Sequence, residues 1–372
     1  MTTPTDPSSP TLALVLGGGG ARTAYQAGAL RYLGEAFPET PVSIVTASGM
    51  GALNAALLTG QAQPWPAATR EAVETWTSLR PSRVFEPRSL WDLVTQLVRH
   101  APSPKQSLLD PAPLRHVLDD RLPTDEDDGL TGVREGLEER WLDALALTTT
   151  HYASLRTVTW TQGGSLDGWP HGRRTARSGP LTVDHMMAAA ALALLYPAVA
   201  LDNEWHGAGV GMLHPLSPAL QLGADRVLAF STRPATIGTT QSESESYPSP
   251  LQVASVLSNT LLEDTLDADA ATMERIDRLA RKLPPEEREG LDPTDALVLR
   301  PSVDLTAVAD GLDVAVDATL GTVLQYLHGE EAHLPDLLSM LLFEPAYLRR
   351  LLLLGYTDAR RQHDRLAALL LD

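Results

Sequence analysis

The chain has 372 residues, 43% of them hydrophobic, enough to bury the core of one large domain or two moderate ones. A formal charge of −18 argues against nucleic acid as a partner, because a phosphate backbone requires a face rich in Lys and Arg. With no cysteine there are no disulfides or thiolate metal sites, and the ten histidines show neither HExxH nor HxH spacing, so neither a metal nor a cofactor is expected.

The opening stretch, MTTPTDPSSP, is polar and Pro-rich, without a basic or an apolar region. It reads as a short disordered lead-in over residues 1–10, not a signal peptide, and the expected location is cytoplasmic. TLALVLGGGGAR, Thr11 to Arg22, is a branched apolar run ending in four glycines, and the next residues carry apolar side chains at helical spacing. This predicts a strand, a tight turn and a helix. VSIVTASGMGALNAALLTG repeats the pattern. Two such units predict a parallel sheet covered by helices, with its functional loops at the carboxyl ends of the strands.

From about residue 61 to 128 the text turns rich in Pro, Arg and Trp with helical stretches such as LWDLVTQLVRHA, which predicts a helical insertion over the sheet edge. LDALALTTTHYASLRTVTWTQG predicts a pair of strands, TVDHMMAAAALALL a buried helix, and ADRVLAFSTRP a further core strand. Residues 236–372 read as a mobile polar loop (GTTQSESESYPSP), an acidic helix, a last strand in DALVLRPSVDL and a helical C-terminal region. The most apolar run, LLSMLLFEPAYLRRLLLL, is interrupted by Glu344, Pro345 and an Arg pair, so it predicts two buried helices instead of a membrane span.

With both turns placed, the chain resembles bacterial patatin-like phospholipases. The resemblance rests on LGGGGARTAYQAGAL, ASGMGALNAA and HGAGVGMLHPLSPALQLGADRVL, with further similarity in SLLDPAPLRHVL, AAAALALLYPAV and RPSVDL. It implies an α/β fold, a three-layer α/β/α domain over residues 11–235 with a mostly parallel central sheet, together with a Ser on the elbow that attacks an acyl ester, an Asp that takes its proton, and a Gly-rich loop, here Gly17, Gly18, Gly19, Gly20 and Arg22, whose N–H groups hold the oxyanion. Aligned on the intact flank Gly51-Ala52-Leu53-Asn54, the nucleophile falls on Gly49. Counted back from Pro215-Leu216-Ser217-Pro218, the base falls on Gly207.

Ser48 is a poor substitute nucleophile, because the positions two before and two after it are Thr46 and Met50, whereas an elbow needs small residues there. Asp202 and Glu204 sit in LDNEW, which reads as a hairpin turn. The Gly-rich loop bears two readings, an anion cradle at a helix N-terminus or a turn that needs glycine for its own geometry. Arg22 likewise is an anion contact or a structural partner of a carboxylate.

The expected protein is a pseudoenzyme with an acyl-sized apolar cleft that Met50, Met212 and Tyr196 line. A fatty acid or phospholipid-like ligand, or a homologous protein, is its expected partner, and peripheral membrane contact stays open. The alternatives are an acyl-ester hydrolase with rewired activity and a structural partner of an active homologue.

Overall fold

A computed structural model describes residues 10–87, 107–166, 172–193, 195–209, 214–234, 265–288, 293–309 and 336–371. Residues 1–9 of the lead-in, the LWDLVTQLVRHA stretch, the polar loop at 238–250 and Met212 lie outside the described residues.

The chain opens with β1 (Leu12–Leu16), α1 (Ala24–Ala36), β2 (Val42–Ser48) and α2 (Gly51–Thr59). The insertion follows as α3 (Trp65–Ser78), α4 (Pro81–Val84), a short ribbon of β3 (Glu86–Pro87) and β4 (Leu109–Asp110), α5 (Ala112–Arg121) and α6 (Thr131–Glu138). Then come β5 (Ala144–His151), β6 (Arg156–Gln162), β7 (Arg174–Ser178), α7 (Val183–Ala190), the hairpin β8 (Val199–Leu201) and β9 (Glu204–Ala208), α8 (Ser217–Gln221) and β10 (Arg226–Phe230). The last elements are α9 (Thr265–Ala280), β11 (Asp295–Leu299), α10 (Asp336–Leu341), α11 (Pro345–Arg361) and α12 (His363–Leu371).

Among the described residues one sheet runs β11-β10-β1-β2-β5-β6-β7, parallel from β11 through β5. β6 is antiparallel to β5, and β7 is parallel to β6. The period of two along β1 builds three layers. Leu12, Leu14 and Leu16 enter the larger core with α1, α2 and α11, while Ala13 and Val15 enter a smaller one with α8 and α9. Pro345 starts α11 at its first turn, where its fixed φ and missing N–H cost nothing, and so divides the apolar run into α10 and α11.

β7, RTARS, went unread in the sequence because it is an edge strand of polar residues without an apolar alternation. The turn read in LDNEW joins β8 to β9, with Asp202 and Asn203 at φ of 50° and 61°, the left-handed pair of a two-residue hairpin.

Candidate active-site cleft

The outer edge of β5 is shared by two partners, and that sharing builds the site. β6 occupies one edge from Leu145 to His151. On the other, β2 pairs up to Ser48 opposite Thr148, and the next residue, Thr149, pairs with Ala208 of β9. The elbow and the end of β9 therefore meet at one point of the sheet although about 160 residues separate them in sequence.

Ser48 is the last residue of β2, Gly49 turns the chain at φ +55°, and α2 begins at Gly51. Ser48, Gly49, Met50, Ala208 and Gly209 all line the cleft, together with Gly17, Gly18, Gly19, Gly20 and Tyr196. Gly207 does not line it. Strand alternation turns Gly207 away, and a Cβ built there would lie 2.3 Å from the hydroxyl of Tyr152. A Cβ at Gly209 would instead rest in ordinary contact with Thr148, 3.4 Å away. None of residues 207, 208 and 209 carries an ionisable side chain.

The Gly-rich loop sits directly on the elbow. A Cβ at Gly49 would come within 2.7 Å of Gly18 Cα, so the two backbones touch where a nucleophile's side chain would begin. Gly19 and Gly20 have φ of +144° and +58°, as the turn reading requires. No acceptor for the N–H of Gly18 or Gly19 occurs among the described residues, which is the feature the cradle reading requires.

A buried polar chain that sequence reasoning missed fixes the loop. Trp76 Nε1 donates to Asn54 Oδ1 (2.6 Å), Asn54 Nδ2 donates to Gln26 Oε1 (3.2 Å) and to Thr23 O (3.1 Å), and Gln26 Nε2 donates to Gly17 O (2.9 Å). Its signal in the sequence was a Gln and an Asn within otherwise apolar helices.

Arg22 lies behind the loop and is 2% exposed. Its Nε donates to Ser339 Oγ (2.7 Å) and its Nη2 to Thr306 Oγ1 (3.0 Å), which ties the loop to the C-terminal region rather than to the cleft.

The cleft walls come from far apart in the chain. Ala190 ends α7 and Leu192 follows it, Phe230 ends β10 with Ser231 and Thr232 after it, and Met340, Leu341 and Phe343 reach in from the C-terminal region. The cleft holds about 90 Å³ of space. Six hydroxyl side chains line it, those of Thr46, Ser48, Tyr196, Ser231, Thr232 and Thr265. Among the described lining residues there is no carboxylate, imidazole or amine to act as a base. Ser48 Oγ makes no hydrogen bond among them. The Tyr196 hydroxyl is buried without a partner, and burial raises its pKa, so it stays a neutral donor.

The carboxylates of LDNEW are engaged elsewhere. Arg177 pairs with both Asp202 (3.3 Å) and Glu204 and holds the Glu204 carboxyl below its ordinary range, a poor setting for a base. Behind them lies a packed cluster in which Trp160 Nε1 donates to Thr149 Oγ1 (2.9 Å), which meets His206 Nδ1 (3.1 Å), while His185 stands edge-on to Trp160.

Burial, above all, pushes His185 and His206 each down to about 4 from 6.5. Both fold as neutral imidazoles, so their contribution to stability is complete above pH 6.5 and is lost as pH falls toward 4. The urea midpoint is expected to drop between pH 7.5 and 5 by an amount worth about 1 to 2 kcal/mol per histidine. A midpoint unchanged across that range would contradict the burial assigned to this cluster.

Compared with known proteins, residues 14–220 match the family described as patatin-like phospholipase. Human GIVD cytosolic phospholipase A2, solved with methyl gamma-linolenyl fluorophosphonate and terbium chloride, superposes with a TM-score of 0.45 at 16% identity, covering 97% of this chain and 59% of that one. VipD from Legionella pneumophila gives a TM-score of 0.35 at 11% identity over 97% and 68%, and the type III effector protein ExoU 0.30 at 13% over 94% and 54%. The chain thus spans about three fifths of the length of the human enzyme. A search of curated proteins finds no match. Among the described residues no helix is long and apolar enough to cross a membrane.

Proposed function

The chain belongs to the patatin-like phospholipase family, and from that premise we propose that it is a catalytically silent member that binds an acyl chain or phospholipid-like ligand in its cleft. One observation carries the reading: at the meeting point of elbow and β9, the family's two reactive positions, the described lining residues offer backbone amides and hydroxyls but no base. Acyl transfer needs a group to take the nucleophile's proton, whereas binding needs only apolar walls and a few donors. The cleft supplies the latter. Leu192, Leu341 and Phe343 offer apolar surface, and the Gly18 and Gly19 amides and the Tyr196 hydroxyl offer donors for a carboxylate or ester carbonyl. A cleft of about 90 Å³ seats one end of such a ligand, with the remainder extending outward.

The test is titration with a fatty acid and a lysophospholipid, read by native mass spectrometry and calorimetry. Saturable one-to-one binding is expected. Leu192→Asp, which places a charge on a half-buried cleft wall outside any helix, is expected to weaken it at least tenfold, about 1.4 kcal/mol, without changing the melting temperature by more than a few degrees. Absence of saturable binding by the wild-type protein would remove the reading.

A further inference from the structure

One wall of the cleft is made where the C-terminal end of α7 meets the end of β9. Ala208 N–H donates to Ala191 O (2.8 Å), and Ala190, Leu192, Ala208 and Gly209 line the cleft on the two sides of that bond. β9 is held to β5 by three residue pairs, Thr149 with Ala208, Thr150 with Gly207 and His151 with His206. Each of the two elements carries a histidine that its own packing requires to be neutral.

His185 is half of a capping box at the start of α7: its Nδ1 accepts the Thr182 N–H (3.2 Å), while the Thr182 side chain accepts the His185 N–H. A proton on that Nδ1 removes the acceptor and sets a cation at a helix N-terminus, where the macrodipole opposes it. His206 is fully buried on β9, with Nδ1 against Thr149 Oγ1 (3.1 Å) and Nε2 without a hydrogen-bond partner. Both rings abut Trp160, at centroid distances of 4.8 Å and 5.3 Å. His151 of β5 stacks on His206 at 5.2 Å, and the Arg177 guanidinium of β7 lies 5.1 Å over the Trp160 ring. The nearby carboxylates are engaged. Asp202 and Glu204, the latter 3.7 Å from His206 Nε2, pair with Arg177, and Asp184 of α7 pairs with Arg115 of α5.

We propose that His185 and His206 form an acid-operated latch on the cleft: their protonation releases the β8–β9 hairpin from β5 and α7 from its cap, and parts the wall at Ala191 and Ala208. The direction follows from burial, which holds both rings near 4 in the closed form, against 6.5 when they are exposed. Above pH 6.5 both forms carry neutral rings and the latch is shut. As pH falls toward 4 only the open form takes up the protons, so the equilibrium constant for opening rises about thirtyfold per histidine between pH 7.5 and 5. Acid release of an acyl ligand rests on the binding function proposed above, whereas the opening itself does not and is measured on the ligand-free protein.

Hydrogen exchange of the full chain tests the latch, resolved to residues 187–191 and 206–208 and corrected for the pH dependence of the exchange chemistry. At pH 5 these amides are expected to exchange through an opening at least tenfold more populated than the one that exposes β1, because they open locally and β1 does not. His185→Gln keeps the capping box, since Gln accepts the same N–H, but it cannot take a proton. It is expected to reduce the acid response about thirtyfold, and His206→Gln to do the same; should His206→Gln fail to fold, His185→Gln decides alone. Exchange of these amides at the rate of β1 at both pH values would place the acid response in global unfolding and overturn the proposal. An acid response that His185→Gln leaves intact would overturn it as well.

Discussion

A fluorophosphonate probe is expected to leave the protein unlabelled, and p-nitrophenyl esters to turn over at the rate of buffer alone. The reason lies in the pairing that serine hydrolysis demands. A hydroxyl is a weak nucleophile at neutral pH unless a base within hydrogen-bond reach takes its proton. The cleft has hydroxyls at Thr46, Ser48, Tyr196, Ser231, Thr232 and Thr265, and no base among its described residues. In serine hydrolases, loss of the nucleophile and its base removes on the order of a millionfold in kcat, leaving only what the oxyanion donors and binding supply.

Restoration is expected to be selective. Gly49→Ser introduces a side chain at φ +55° with its Cβ 2.7 Å from Gly18 Cα, so the Gly-rich loop must shift, at a cost of roughly 1–3 kcal/mol. Combined with Gly209→Asp, at a position that lines the cleft just past the end of β9, the variant is expected to take the label. Combined with Gly207→Asp, it is expected to stay inert, because that side chain is directed at Tyr152. Labelling of the wild-type protein that Ser48→Ala abolishes would return the protein to the enzymes.

Gly355→Ala is expected to be strongly destabilising, at roughly 3 kcal/mol or more. α11 crosses α1 with the two backbones touching. A Cβ at Gly355 would lie 1.9 Å from Tyr25 O, and one at Gly28 would lie 2.0 Å from Leu352 O. Neither neighbour is the end of a flexible side chain, so the helices themselves must separate and open the core formed by Leu348, Leu351 and Leu30. Gly179→Ala, with nothing within 4 Å, is the control and is expected to stay within about 0.5 kcal/mol of the parent. Chemical denaturation compares the three proteins directly. An unchanged midpoint for Gly355→Ala would mean that the C-terminal helices are not docked on α1 as described. The same docking matters for the cleft, since the segment preceding α11 supplies Met340, Leu341 and Phe343 to its wall.

Much of this was legible in the sequence because it is local. Branched runs before glycines gave β1 and β2, the Asp-Asn pair gave the β8–β9 turn, and Pro345 gave the break before α11. The absence of a side chain at Gly49 is written in the sequence, and so is the lack of any carboxylate over residues 207–209. Position in the sheet was not legible. Counting from Pro215 placed the base at Gly207, but which residue of a strand faces a cleft is set by strand phase and by the partner across the ladder, here Thr149 opposite Ala208. Arg22 beside four glycines bore two readings, an anion contact or a structural partner of a carboxylate, and its guanidinium also meets Ser339 and Thr306, more than 280 residues away in sequence. Short-range pattern therefore determined the elements and the missing chemical groups. Only the tertiary structure decided what those groups face, because packing brings together side chains that no spacing along the chain relates.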